Sequence, residues 1–402
     1  MKDRYGSTFP PSRALQFTIL ILTLLLASSW VGFGTPTVDI AQPAVPPTDR
    51  PDSADLAHSR ERQSRLAEVI LANPDLTLVL EQAQAILKTG LTAGSGYGEV
   101  WIRDLNTFIE LALDVRSRQD IRQGLVVFFH FQGENGEIID GYIPTEAATG
   151  AYQYRQSATM PEFRGHKNTV ETDQESSLIQ AVYKYVKKTG DRSLLDEQIH
   201  GFTVRQRLSR ALRYLLEQRY SPHYGLIWGA TTVDWGDVQP EHPWGVELDE
   251  HSHRAIDVYD NAMFIIALEN YLEVTGLESG DAAGWQSVAA QIKARIREHL
   301  WAPTLHKFRP HIYLNSSPFP QDFDEHRIYY HGGTAVAIEA GVLDREEVAQ
   351  VFNDMRNNKR FAGAASIGLT VYPLIQQGGL RIPSCDRSPT RTAGTGCGLA
   401  AA

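Results

Sequence analysis

The stretch DQESSLIQAVYKYVKKTG, residues 173–190, decides the fold class. Its apolar residues Leu178, Ile179, Val182, Tyr185 and Val186 recur on one helical face, and Gly190 follows the last of them as a helix stop. Thr172 and Glu175 stand at capping-box spacing, which predicts the helix start there. The closing phrase YVKKTG at 185–190 returns as YLEVTG at 271–276, and each copy is followed by a further amphipathic segment. Working outward, the same period fits residues 76–88, 104–118, 204–218, 258–274, 281–300 and 343–357. No series of alternating strands separates them; short β-like pieces are read only at 137–143 and 308–314. A second phrase, Tyr97-Gly98-Glu99-Val100-Trp101, recurs as Tyr224-Gly225-Leu226-Ile227-Trp228. The expected class is therefore all-α. Repeated helical hairpins must stack to bury their apolar faces, in an open solenoid or a closed ring.

Composition narrows the partners. Of 402 residues, 42% are hydrophobic and 21% charged, enough apolar material for a core and unlike a disordered or multi-span membrane chain. The 38 basic and 48 acidic side chains leave a net charge of -10, which argues against nucleic acid, whose phosphates demand a basic face. Cys385 and Cys397, the only cysteines, lie in the last 18 residues and make neither a disulfide framework nor a four-cysteine zinc site. At the other end, Lys2, Arg4 and Arg13 precede an apolar run at 14–26, followed by the small residues Ala27-Ser28-Ser29. That order is a secretory signal. Uncut, residues 14–34 are long enough for a single-pass membrane anchor, which needs about 20 residues. Residues 1–34 thus read as signal peptide or signal anchor, 35–55 as a proline-rich linker, 56–380 as the helical domain and 381–402 as an irregular tail. The working domain is expected outside the cytoplasm.

Chemistry concentrates between His223 and Asp260. Three tryptophans, Trp228, Trp235 and Trp244, stand there with eight carboxylates, among them Asp234, Asp237, Asp257 and Asp260, and with Arg254 as the only Lys or Arg. Aromatic faces stack on sugar rings and carboxylates accept hydroxyl hydrogen bonds, while two acids can cleave a glycosidic bond as acid and base. The plain alternative is a solvated acidic loop beside core tryptophans. A second cluster, Glu171-Thr172-Asp173-Gln174-Glu175, is equally explained by capping and the helix dipole. A third, Trp101-Ile102-Arg103-Asp104, sets an Arg–Asp pair at a helix start, where Arg103 can orient a carboxylate or sugar hydroxyl. Gly94, Gly96 and Gly98 do not make GxGxxG, and there is no phosphate-binding loop, HExxH or nucleophile elbow, so no cofactor is expected. His242, His251 and His253 with Glu250 lack a recognised spacing for a full zinc set, so no metal is expected either. Asn315-Ser316-Ser317 is a glycosylation sequon.

These phrases resemble the six-hairpin glycosidases, in particular bacterial proteins similar to the glucosidase part of glycogen-debranching enzyme and to processing α-glucosidases. The likeness rests on Tyr97 to Asp104, Glu171 to Ser176, Asp234-Trp235-Gly236-Asp237, Asp260 to Met263 and Ala365 to Thr370, and covers about residues 60–375. It implies an (α/α)6 toroid of helical hairpins acting on an α-linked glucoside or related oligosaccharide, with inversion at the anomeric centre. It implies Asp237 or Asp234 as general acid and Glu171 or Glu175 as the opposing base. Trp101, Arg103, Asp104, Asp173, Trp228 and Trp235 would hold the sugar. The family tends to finish with an Asn-Gly-Gly-x-Trp phrase opening its last helix, whereas residues 381–402 read RIPSCDRSPTRTAGTGCGLAAA. The expectation is a disturbed reading frame near 375–390 and a ring incomplete at its C-terminal side. A carbohydrate-binding scaffold without a complete acid–base pair is the rival reading.

Overall fold

Thr203 and Gln206 show how local sequence sets the elements. The Thr203 hydroxyl accepts the Gln206 N–H at 3.2 Å and the Gln206 side chain accepts the Thr203 N–H at 2.8 Å, a complete capping box that opens the helix Val204–Gln218. Gly190 and Gly276, at φ 71° and 59°, close their helices in the left-handed conformation that glycine adopts without strain, so the repeated phrases are indeed paired helix stops.

The structure is a computed structural model describing residues 53–94, 96–148, 153–231, 246–276, 279–321, 323–368 and 371–373. Residues up to Ala72 and residues from Asn73 onward form two units. In the first, helix α1 spans Ser53–Leu71. The second holds α2 (Pro74–Thr89), α3 (Ile102–Val115), α4 (Arg118–His130), α5 (Gln174–Thr189), α6 (Ser193–Asp196), α7 (Val204–Gln218), α8 (Val258–Thr275), α9 (Ser279–His299), α10 (His331–Glu339) and α11 (Arg345–Ala362). Helices α3, α5, α8 and α10 pack side by side in that order. Around them, α2 packs on α3, α4 and α7 on α5, and α9 on α8. Helices α3, α5, α8 and α10 thus form an inner row, against which α2, α4, α7 and α9 pack. The fold is helix-rich with short strands, as the periodicity predicts.

The inner helices run parallel, since their first turns meet. Arg103 at the start of α3 reaches Glu171 ahead of α5, Tyr259 at the start of α8 reaches Asp173, and a Cβ on Gly333 in α10 would stand 2.8 Å from Val258. Short sheets lie at this end: β1 (Val100–Trp101), β2 (Gly141–Pro144) and β3 (Phe163–His166) form one, in that order. Further on, β4 (Gln198–Ile199) and β5 (Phe202–Thr203) form a hairpin, as do β6 (Tyr220–Ser221) and β7 (Leu226–Ile227). Strand β9 (Arg254–Ile256) lies between β8 (Gly229–Ala230) and a strand at Ile312–Tyr313, which faces it with Ile312 opposite Ile256.

One local expectation is corrected. The Thr172–Glu175 capping box does not form: α5 starts at Gln174, Asp173 at the cap makes no side-chain cap bond, and the Thr172 hydroxyl goes to Asp260 instead. The sequon asparagine is engaged, with Asn315 Oδ1 accepting the Arg254 N–H at 2.9 Å and Nδ2 donating to the Ser252 carbonyl at 2.9 Å. The segments 1–34, 35–52 and 381–402 lie outside the described residues, and among those described no helix is long and apolar enough to cross a membrane.

Candidate functional site

Where the inner helices begin, charge gathers out of solvent. Arg103, one residue into α3, is 4% exposed. Its Nη1 donates to Asp140 Oδ1 at 2.5 Å and to Glu171, and stands 3.8 Å from Asp173 Oδ1. One guanidinium therefore serves three carboxylates from two segments. Asp140 is fixed by its own backbone, which donates to the His166 carbonyl at 2.7 Å and accepts from the Ile102 N–H at 2.8 Å. Glu171 also accepts from the Gln174 amide at 3.3 Å.

Asp173, fully buried, accepts the Tyr259 hydroxyl at 2.8 Å. Burial pushes its carboxyl up to about 6, with Arg103 and the Tyr259 hydrogen bond opposing the rise. Burial and the Asp173 charge push the Tyr259 hydroxyl well above its usual range. Glu175 is also fully buried; its Oε1 accepts from Lys167 at 3.0 Å and from the Ile138 N–H at 2.8 Å, while Lys167 also bonds Gln174.

Helix α8 adds two more acids. Asp257 caps it, Oδ1 accepting the Asp260 N–H at 2.8 Å, while Oδ2 is buried without a hydrogen-bond partner among the described residues. Burial raises this carboxyl to about 6, against the pull of His311, which continues the Ile312–Ile256 register and so faces Asp257. Asp260 is pushed well above the carboxylate range by burial and by the charges of Asp257 and Asp173. Carboxyls outnumber cations here, and several retain protons at mildly acidic pH. Such a group can give and take protons near neutrality.

Beside this cluster lies a cavity of about 330 Å³ lined by Tyr220, Trp228, Asp249, Ser252, Arg254 and Asn315 among others. Trp228 leads into Gly229, where an added Cβ would meet Val170 O at 2.9 Å and Asp260 Oδ2 at 3.0 Å, so the cavity and the acids are separated by one backbone strand. The guanidiniums of Arg219 and Arg254 lie 4.9 and 5.0 Å from the Trp228 ring centre.

Of the residues read from sequence, Arg103, Glu171, Asp173 and Glu175 come together. Trp101 is 8% exposed, packed edge-on against Tyr97 and His166 at 6.4 and 6.1 Å, and Asp104 is half-buried in the first turn of α3. Trp228 lines the cavity. Asp234, Trp235 and Asp237 lie outside the described residues, as does His242. Among the described residues no three His, Cys, Asp or Glu side chains converge as a metal site. Asp140, Lys167 and Tyr259 join the cluster without any local sequence signal, whereas Asp257 and Asp260 belong to the acidic constellation and to the phrase opening α8.

No protein-family model and no curated protein matches the chain. Two of the solved structures similar to it are a rhamnosidase from Klebsiella oxytoca with rhamnose bound and a GH78 family rhamnosidase of Bacillus sp. GL1. The first has TM-score 0.42 at 14% identity over 65% of this chain and 42% of that one; the second, 0.47 at 14% over 69% and 26%. The chain spans less than half the length of either protein.

Proposed function

We propose that the chain is a glycoside hydrolase, built on an (α/α)6 ring whose inner helices include α3, α5, α8 and α10, with its site at their shared starting end. The observation that carries this reading is the set of buried carboxyls there, Asp140, Glu171 and Asp173 on Arg103, with Asp257 and Asp260 alongside. In this reading the enzyme acts on an α-linked glucoside or related oligosaccharide and inverts the anomeric centre. Glu171 or Asp173 takes the proton of the attacking water, and Asp237 or Asp234 protonates the leaving oxygen, the carboxyls about 6.5–9.5 Å apart. The residues flanking that acidic stretch support the assignment: Val246 O accepts the Thr169 N–H and the Ala230 N–H reaches Val170 O, each at 3.0 Å, next to Glu171. Glu175, held by Lys167 and Ile138, positions the helix start in this scheme. The domain works outside the cytoplasm, carried or anchored there by residues 1–34.

A second reading, a carbohydrate-binding scaffold, is favoured by the burial of Glu171 and Asp173 at 3% and 0%. A hydrolysis screen on α- and β-linked disaccharides, with sugar binding measured in parallel, separates the two. Hydrolysis that falls at least ~100-fold in Asp173→Asn, Glu171→Gln or Asp237→Asn supports the enzyme. Binding without turnover in the wild type supports the scaffold, and hydrolysis untouched by all three variants sinks the site.

A further inference from the structure

Away from the acids, two histidines meet. His130 ends α4, and His200 sits at the tip of the β4–β5 hairpin. His130 Nδ1 and His200 Nε2 lie 2.8 and 3.1 Å from one atom, Thr159 Oγ1, and the rings are 5.4 Å apart at 78°. Two imidazoles sharing a tetrahedral ion at about 2.0–2.1 Å per nitrogen hold their ring centres roughly 5 Å apart. The observed pair is already at that separation, with both nitrogens turned to one point.

The hairpin fixes the second ring in place. Its two-residue loop, His200-Gly201, has φ 48° and 78°, the positive pair of a type I′ turn, for which Asn-Gly is the favoured sequence. Histidine, like asparagine, adopts positive φ more readily than most residues, and here it brings an imidazole whose Nε2 points to the same hydroxyl that His130 meets. We propose that His130 and His200, with the Thr159 hydroxyl, bind a divalent transition-metal ion of the copper, nickel or zinc class, clipping the hairpin to the end of α4. Glu162 and Glu197 add negative charge near His130 and Arg207 adds positive charge, and Glu197 also pairs with Arg122 at 2.7 Å.

Thermal unfolding of the full chain with Cu²⁺, Ni²⁺, Zn²⁺ or Mg²⁺ tests the site. Saturating Ni²⁺ or Zn²⁺, at about 100 times Kd, raises the wild-type Tm by roughly 5 °C, reversed by EDTA. Mg²⁺, which prefers oxygen ligands, has no such effect. His200→Asn keeps the turn and the metal-free Tm, and it weakens binding at least 10-fold; His130→Gln does the same. A wild type indifferent to all three transition ions, an equal shift in His200→Asn, or a Mg²⁺ shift matching that of Ni²⁺ overturns the proposal.

Discussion

Asparagine in place of Asp257 removes a buried charge while keeping a helix cap, since both residues cap equally well. In the folded protein the carboxyl is held up at about 6 against 3.8 ordinarily. At about 1.4 kcal/mol per pH unit, charging it in place costs about 3 kcal/mol more than in the unfolded chain. The folded pKa is the higher one, so this group's contribution to stability is fully present below about pH 3.8 and is lost as pH rises through about 6. The variant has no proton to lose. Its advantage over wild type therefore grows from about 1 kcal/mol at pH 4.5 to about 3 kcal/mol at pH 8. Against a total stability of roughly 5–15 kcal/mol that is readily measured from urea midpoints at the two pH values. An advantage that is the same at both, or a variant less stable than wild type at pH 8, refutes the account of a strained buried carboxylate.

Two further substitutions probe the cluster and the hairpins. Arg103→Met strips the cation from three buried carboxylates and should lower stability by about 3–5 kcal/mol in urea unfolding, part of it regained when Glu171→Gln is added; an Arg103→Met protein as stable as wild type contradicts the pairing. Gly190→Ala and Gly276→Ala, at positive φ, should each cost about 1–2 kcal/mol, whereas Gly284→Ala on the open face of α9 should gain about 0.5–1 kcal/mol. Tm shifts of one sign at all three glycines would undo that reasoning.

Which helices were legible follows from how they are buried. Helix α7 shows one apolar face and one charged face, and the sequence predicts its bounds to the residue. Helix α4 is covered along Gly124 to Phe129 on almost every side, so its apolar run carries no period, and Gly124 reads as a breaker. Helix α10 opens with Gly332-Gly333, which looks like a turn; the second glycine is there because Tyr330 and Val258 leave no room for a Cβ. Both were invisible for tertiary reasons.

The cluster divides in the same way. Arg103, Glu171 and Asp173 stand in compact polar phrases at helix starts and can be singled out, but whether such acids merely cap their own helices is undecidable from one segment. The structure decides it for Asp173 and Thr172, whose side chains leave their own helix for Tyr259 and Asp260 on the next. Asp140 and Lys167 arrive from loops, by strand pairing that no local pattern encodes. The excess of acid then has a physical reason to persist. Four parallel helices present their first turns, each with roughly half a positive charge, to one region. Arg103 and Lys167 add two full charges. Together they hold carboxylates that no single segment would tolerate buried, which is why a property of several packed helix starts cannot be read from any one of them.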